Sequence, residues 1–266
     1  MDIIIKNIPF YLMALAAGLS VFIGIFVSRL PFFTDNKKVI VTGFAVGVLT
    51  YLFVEITTKM TETTEELTRV AFRLGDWAAL AQTLFYIGMF IIGFVLLEKI
   101  SHSIFRKNVS DMEEPARSLT IAVMVAAGIG MHNFSEGLVI GQEYANGAIN
   151  LALILAIGFG LHNATEGFGI SATIVGIKVG IRRLFLLACI AGLPVFFGAI
   201  LGSIAYNGFL EISFLAVASG ALLYIIGQLW SMIKKSNIAE TTLLYAIAAG
   251  FIFTLYTDIF LKYVGG

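Results

Sequence analysis

The chain has 266 residues, of which 59% are hydrophobic and 13% are charged, and its 17 basic and 17 acidic side chains leave no net charge. Soluble domains carry about twice this charged fraction, so the composition indicates an integral membrane protein. The zero net charge argues against nucleic acid as a partner. The single cysteine excludes an internal disulfide framework and a cysteine-based metal cluster.

Eight apolar runs follow one another along the chain, each long enough to cross a hydrocarbon layer of about 30 Å as a helix. The first run lacks the basic start and the cleavage site of a signal peptide, so it is interpreted as the first membrane helix. We therefore predict an all-α integral membrane protein with one transmembrane domain over residues 1–266. Predicted helices 1 to 8 cover residues 8–30, 39–57, 77–97, 119–140, 149–173, 184–206, 212–233 and 240–261.

Basic residues are concentrated on one side of the predicted membrane. The odd-numbered connections between helices, counted together with Arg29 at the end of helix 1, carry 12 of the 17 Lys and Arg residues, and connections rich in these residues face the cytoplasm. We therefore expect a multi-pass protein of the cell membrane with both termini outside. Connection 58–76 is predicted to be a polar loop with one or two amphipathic turns. Connection 98–118, which contains His102, is predicted to be a solvated cytoplasmic loop.

Two pairs of predicted helices resemble each other in sequence. Residues 17–24 of helix 1 and 191–198 of helix 6 share an Ala-Gly-Leu start, a central Val-Phe and a final Gly. In helices 2 and 7, a spaced Ala, Gly, Leu and Tyr at 45–51 recurs at 218–224. Because matched helices stand five places apart in the chain, the two copies must cross the membrane in opposite directions. Such inverted repeats are typical of secondary transporters. Helices 1–3 then correspond to helices 6–8, although helices 3 and 8 share little.

Two similar strings hold the candidate site. His132-Asn133-Phe134-Ser135-Glu136-Gly137 lies in helix 4, and His162-Asn163-Ala164-Thr165-Glu166-Gly167 lies in helix 5. Ionisable residues deep in a membrane are costly and therefore indicate function. Histidine and glutamate four residues apart share one helix face, and both strings lie near the membrane centre of antiparallel helices. Two imidazoles and two carboxylates can then surround one Zn²⁺ or another first-row divalent ion.

Residues near these four have several interpretations. Asn133 and Asn163 could ligate a second ion, donate hydrogen bonds to the metal ligands, or line a hydrated path. The glycine that ends each string could leave room for an ion or bend its helix. A polar clamp that only holds helices together is the alternative for the whole set, and the presence of two identical sets argues against it. Glu55 and Asp258 are interpreted as boundary residues near the lipid headgroups rather than as parts of an ion entrance.

Eight spans, both termini outside and the paired HN-x-x-EG strings resemble the ZIP (zinc/iron-regulated transporter-like) family of divalent-metal transporters over essentially the whole chain. The resemblance implies a 3+2+3 inverted-repeat arrangement and a transport domain that moves zinc, or iron, manganese, cobalt or cadmium, toward the cytoplasm through a midplane site. We expect no enzymatic activity and no prosthetic group. The expected partners are the divalent metal, the lipid bilayer and, as a candidate oligomer, a second copy in a homodimer. The metal ligands that the resemblance implies are His132, Asn133, Glu136, His162, Asn163 and Glu166.

The chain departs from the family pattern in helix 6. Many members carry a glutamate there within a Gly-Leu-Ala-Glu-Pro-like string, whereas the corresponding stretch here is Gly192-Leu193-Pro194-Val195. Some members also have aspartate at the position of Asn163 and an acidic pair where helix 7 has Gly227-Gln228. We therefore expect one tight metal position and a second position that is weak or absent.

Two other functional classes are open alternatives. An intramembrane metal-dependent enzyme would need an open coordination position on its metal, and four protein ligands would close that position. The chain also lacks an HExxH string. A metal-binding membrane sensor would need a region for readout, and the connections between the predicted helices offer little.

Overall fold

The computed structural model describes residues 7–26, 35–105, 112–113, 115–205 and 207–265. Within these ranges the regular structure is helical, and eight helices are long and apolar enough to cross a membrane. The chain is therefore an all-α, multi-pass membrane protein, as predicted. Helix α1 consists of two segments, Ile8–Leu19 and Val21–Phe26, that meet at Ser20; the others are α2 (Asp35–Leu74), α3 (Trp77–Phe105), α4 (Ala116–Ala145), α5 (Ile149–Thr173), α6 (Ile181–Ala205), α7 (Gly208–Ile233) and α8 (Glu240–Gly265).

Helix α2 is much longer than predicted. Segment 58–76, expected to be a polar loop, is helical as far as Leu74, and the chain then turns at Gly75 with a φ of 68°. No glycine or proline occurs from residue 58 to residue 74, and threonine hydroxyls of this stretch bond to carbonyls of the preceding turn. Arg69 pairs with Glu65 and Glu66 along the helix surface. These local interactions extend α2 beyond its apolar part.

The remaining boundaries differ less from the predictions. Helix α5 begins and ends at the predicted residues. Helix α3 continues to Phe105, so the backbone of His102 belongs to its last turns rather than to a loop. The predicted end of helix 1 at residue 30 lies outside the described residues. Which face of the protein is cytoplasmic stays a prediction.

The two copies of the repeat, α1–α3 and α6–α8, touch each other where α1 crosses α6. Gly18 of α1 and Gly192 of α6 are equivalent positions of the repeat, and they meet each other. A Cβ atom built on Gly18 would lie 2.1 Å from the Gly192 carbonyl oxygen, and the reciprocal distance is 2.2 Å. Only glycine permits this approach, so two backbones touch at the centre of the inverted repeat.

The same symmetry relates the outer helices. Helix α2 packs beside α8, and its repeat partner α7 packs beside α3. Gly47 on α2 approaches the carbonyl of Ile247 on α8, whereas the equivalent Gly220 on α7 approaches the carbonyl of Phe90 on α3. Ile247 and Phe90 are therefore equivalent positions. This contact aligns α3 with α8, which sequence similarity alone does not do.

Helices α4 and α5 lie between the two repeats. Helix α4 packs most extensively against α6, and α5 packs against α1 and α2. Buried apolar side chains such as Leu49, Ile129 and Leu222 fill the interior. Helices α3 and α8 expose large apolar residues such as Ile91 and Ile252, as expected of surfaces that face lipid acyl chains. The two histidine strings are therefore held in the interior of the bundle.

Candidate metal centre

Four ionisable side chains meet where α4 and α5 face each other. His132 and Glu136 lie one turn apart on α4, and His162 and Glu166 occupy the same relation on α5. At most 6% of each of these residues is exposed. His132 Nε2 lies 3.4 Å from Glu136 Oε1 and 4.0 Å from Glu166 Oε1. His162 Nε2 lies 3.6 Å from Glu166 Oε1. The four side chains, named here the quartet, therefore surround one region of the membrane interior.

The spacing of these atoms suits a divalent cation. Ligand atoms around a tetrahedral metal with bonds of about 2.0–2.2 Å lie roughly 3.3–3.6 Å apart. One ligand atom each from His132, Glu136 and His162 lies within 4.8 Å of the other two, and Glu166 lies against both imidazoles. Small side-chain movements would bring all four onto one ion. The structure thus brings together the four residues that the sequence predicts at the first metal position.

Several buried polar atoms of this centre find no hydrogen-bond partner among the described residues. They are both ring nitrogens of His132 and one carboxylate oxygen of Glu136, together with the side-chain oxygens of Asn133 and Asn163. Leaving a buried polar group unpaired costs about 1–3 kcal/mol, and more for a charged group. A structural clamp would satisfy these atoms within the protein. Nitrogen and oxygen atoms that converge without hydrogen-bond partners are instead the arrangement expected for cation binding.

The two asparagines hold α4 and α5 to their neighbours. Asn133 Nδ2 donates a hydrogen bond of 3.1 Å to the carbonyl of Ala191 on α6, and Asn163 Nδ2 donates one of 3.2 Å to the carbonyl of Ala17 on α1. Ala17 and Ala191 are equivalent in the repeat. Both asparagine amides therefore donate to backbone carbonyls of the repeat helices, whereas donation to the metal ligands and lining of a hydrated path stay predictions. A role of their side-chain oxygens in ligation stays a prediction.

The glycines that follow the glutamates are points of helix contact. A Cβ atom on Gly137 would lie 2.1 Å from the carbonyl oxygen of Val195, and one on Gly167 would lie 2.3 Å from that of Val21. The expectation that these glycines leave room for an ion is therefore corrected, since backbone atoms fill the space. Val195 itself is fully buried in an apolar cluster with Ala17 and other residues.

A cavity of about 460 Å³ leads from the quartet to one face of the protein. His132, Glu136 and His162 form its inner end. Glu211 lies near the start of α7, and Asp258 lies near the end of α8. The cavity therefore opens toward the face on which α1 begins and α8 ends, which we call the terminal face.

Toward the opposite face the quartet is closed. Val125 and Ile129 on α4, and Ile170 and Thr173 on α5, are the residues one to two turns further along, and all four are fully buried. Among the described residues, access to the quartet is therefore from the terminal face only.

The cavity wall contains polar residues that sequence patterns assigned elsewhere. Glu55 and Asp258 line the cavity, which corrects their interpretation as boundary residues near headgroups. Asp258 accepts a 2.5 Å hydrogen bond from the Tyr51 hydroxyl. Lys59 and Glu211 also line the cavity and form an ion pair. No sequence motif includes Lys59 or Glu211. However, no glycine or proline occurs between Gly47 and Gly75, and this absence could have predicted that the second membrane helix continues through Lys59.

Comparison with known proteins adds no identity. No protein-family model matches the chain, and no curated protein matches it. The function is therefore inferred from the geometry of the quartet, its cavity and the repeat.

Proposed function

We propose that the protein is a divalent-metal transporter of the kind found in the ZIP family, with zinc as the first cargo to test and iron, manganese, cobalt and cadmium as alternatives. The ion would be held by His132, Glu136, His162 and Glu166. Two neutral nitrogen donors and two carboxylates suit these metals and give an uncharged complex with a divalent ion.

The observation that carries the proposal is the position of the quartet. It lies at the inner end of a cavity that opens on one face, and it is closed toward the other. Buried ligand atoms that lack hydrogen-bond partners and can be reached from solvent are suited to a cation in transit. They are poorly suited to a structural clamp, because a clamp needs no path from solvent and satisfies its polar atoms within the protein.

The inverted repeat supports a cycle of alternating access. Because the two halves are built alike but point in opposite directions, exchanging their conformations would close the terminal face and open the other. The distribution of basic residues predicts that the terminal face is outside. The cavity would then receive metal from outside, and the exchange would release it to the cytoplasm.

The test is metal flux into liposomes that contain only this protein and a metal-sensitive dye. We expect Zn²⁺ to enter down its gradient, and His132→Ala and His162→Ala to abolish entry while inserting normally. The chain offers a matched control in its third histidine, so His102→Ala should transport like the wild type. Wild-type rates in both quartet variants would contradict the site.

The same preparation separates transport from the other two classes. Tight Zn²⁺ binding without any flux under a gradient would reject transport and favour a metal-binding sensor or a metal-dependent enzyme. If Zn²⁺ enters liposomes without protein as fast as it enters liposomes that contain the protein, the protein does not transport the ion.

A further inference from the structure

Lys59 places a positive charge in the wall of the cavity through which the cargo cation would pass. Its ammonium group donates to the carboxylate of Glu211, so the pair joins α2 to α7. The Lys59 side chain is 53% exposed, whereas that of Glu211 is 6% exposed. Both residues line the cavity whose inner end contains His132 and Glu136. An ion on its way to the quartet would therefore experience that charge.

The repeat indicates that the charge of Lys59 is not needed for helix packing. The position equivalent to Lys59 in α7 is Met232, which packs against the apolar core. The position equivalent to Glu211 is Lys38. The other half of the molecule thus has an uncharged residue at this repeat position, in the last turn of α7. Helix packing at this repeat position therefore does not require a positively charged side chain.

We propose that the Lys59–Glu211 pair sets the metal affinity of the cavity, with Lys59 lowering it and Glu211 raising it. The inference rests on the proposed transport function. Lys59 repels an entering divalent ion, and Glu211 both attracts the ion and offsets the charge of Lys59. The pair keeps the cavity attractive to cations without retaining them on the way to the quartet.

The two single substitutions therefore have effects of opposite sign. Lys59→Met leaves the Glu211 carboxylate without this cation, so the cavity becomes more negative and the KM for Zn²⁺ uptake falls, by about threefold or more at low ionic strength. Glu211→Gln leaves the ammonium without this carboxylate, so KM rises by a similar factor. The double variant Lys59→Met/Glu211→Gln returns close to the wild-type KM.

Two further variants control for charge and location. Lys59→Arg keeps the positive charge and should keep the wild-type KM. Arg69→Met removes a basic residue of the same helix that pairs with Glu65 and Glu66 on its exposed surface, and it should leave KM unchanged. Raising the salt concentration should shrink the KM difference between Lys59→Met and the wild type, because ions in the water-filled cavity screen the charge.

The readouts are KM and kcat of Zn²⁺ uptake in liposomes, with Co²⁺ titration of the purified variants as a binding measurement independent of transport. Opposite KM shifts that weaken with salt support the proposal. Equal shifts in one direction, or a shift that salt does not alter, would show that the pair only holds α2 to α7 and would overturn it. Absence of uptake by the wild type would instead contradict the proposed function, so the two failures are distinguishable.

Discussion

At the scale of single residues, Glu136 and Glu166 supply the negative charge of the quartet. Two unit charges 4 Å apart interact by about 4 kcal/mol at an effective dielectric constant of 20. One divalent ion between these carboxylates is neutralised, whereas two such ions would leave two excess positive charges. Asn133 and Asn163 add no charge, and their amide nitrogens donate to backbone carbonyls.

We predict one tightly bound divalent ion per chain. The reason is the charge balance at Glu136 and Glu166. Calorimetric titration of purified protein with Zn²⁺, checked by elemental analysis, should give one strong site and at most one much weaker site. Two ions of equal affinity would contradict this prediction.

A glutamate at position 195 would test whether a third carboxylate creates a second metal position. Val195 is fully buried among apolar side chains, so Val195→Glu places a carboxyl group in an unfavourable environment. We expect a lower unfolding temperature without metal, recovery of stability on adding Zn²⁺, and a stronger second binding step. Val195→Gln, which carries no charge, is the matched control and should show the loss of stability without the recovery. Val195→Glu protein that gains neither a second binding step nor stability from metal would reject this role for position 195.

At the scale of helices, the contacts of the inverted repeat depend on the smallest side chain at the crossing of α1 and α6. Gly18 and Gly192 bring the two backbones together. The hydrogen bonds of Asn133 and Asn163 tie α4 and α5 to the same two helices. Helix contact and quartet geometry are therefore coupled through the residues beside each histidine.

We predict that Gly18→Ala destabilises the fold by about 2 kcal/mol or more, because its Cβ would meet the Gly192 carbonyl and force the helices apart. Gly88 on α3 has no atom within 4 Å of the position of a Cβ, so Gly88→Ala should be neutral or slightly stabilising. The measurement is thermal unfolding in detergent, followed by size-exclusion chromatography. Equal stability of the two variants would argue against the close crossing.

At the scale of the whole molecule, the cavity connects the quartet to the terminal face. The extended α2 and the ends of α7 and α8 supply its polar wall, which includes Glu55, Lys59, Glu211 and Asp258. Metal and protons would reach the quartet by the same route. Two predictions concern this access.

The first prediction of this kind is that uptake falls as the outside pH falls from 7.5 to 5.5. A protonated ligand has no lone pair for metal. Protons therefore compete with Zn²⁺ for the ligand atoms of the quartet, and KM should rise while kcat changes little. Initial rates in liposomes at fixed metal concentration gradients provide the measurement. A rate that increases toward pH 5.5 would indicate proton coupling instead of competition.

The second is a prediction of one-sided access. In a Cys189→Ala background, a cysteine introduced at Leu155, which lines the cavity, should react in intact cells with a thiol reagent that does not cross membranes. Zn²⁺ should slow this reaction. The matched control is a cysteine at Ile170, which is buried on the closed side of the quartet and should react far more slowly. Labelling of the Leu155 variant in inside-out vesicles but not in intact cells would reverse the assigned orientation, and fast labelling of the Ile170 variant would contradict closure on that side.

The sequence by itself determined the membrane class, the number of spans, the residues of the quartet and two of the three helix pairs of the repeat. These features depend on composition and on spacing within single helices, so they can be recognised before any helix has a neighbour. His132 and Glu136, four residues apart, share a face in any helix. The length of α2 is also a local property, and uninterrupted helical sequence beyond the apolar residues would have predicted it.

Only the tertiary structure decided which helices meet and what their contacts require. The pairing of Lys59 with Glu211, the placement of Asp258 in the cavity wall and the bonds of Asn133 and Asn163 to backbone carbonyls all join residues distant in the chain. Their partners carry no pattern in the sequence, because a carbonyl group is present at every residue and a single charge fits many environments. The direction in which the cavity opens has the same origin, since it depends on how five helices are arranged around the quartet.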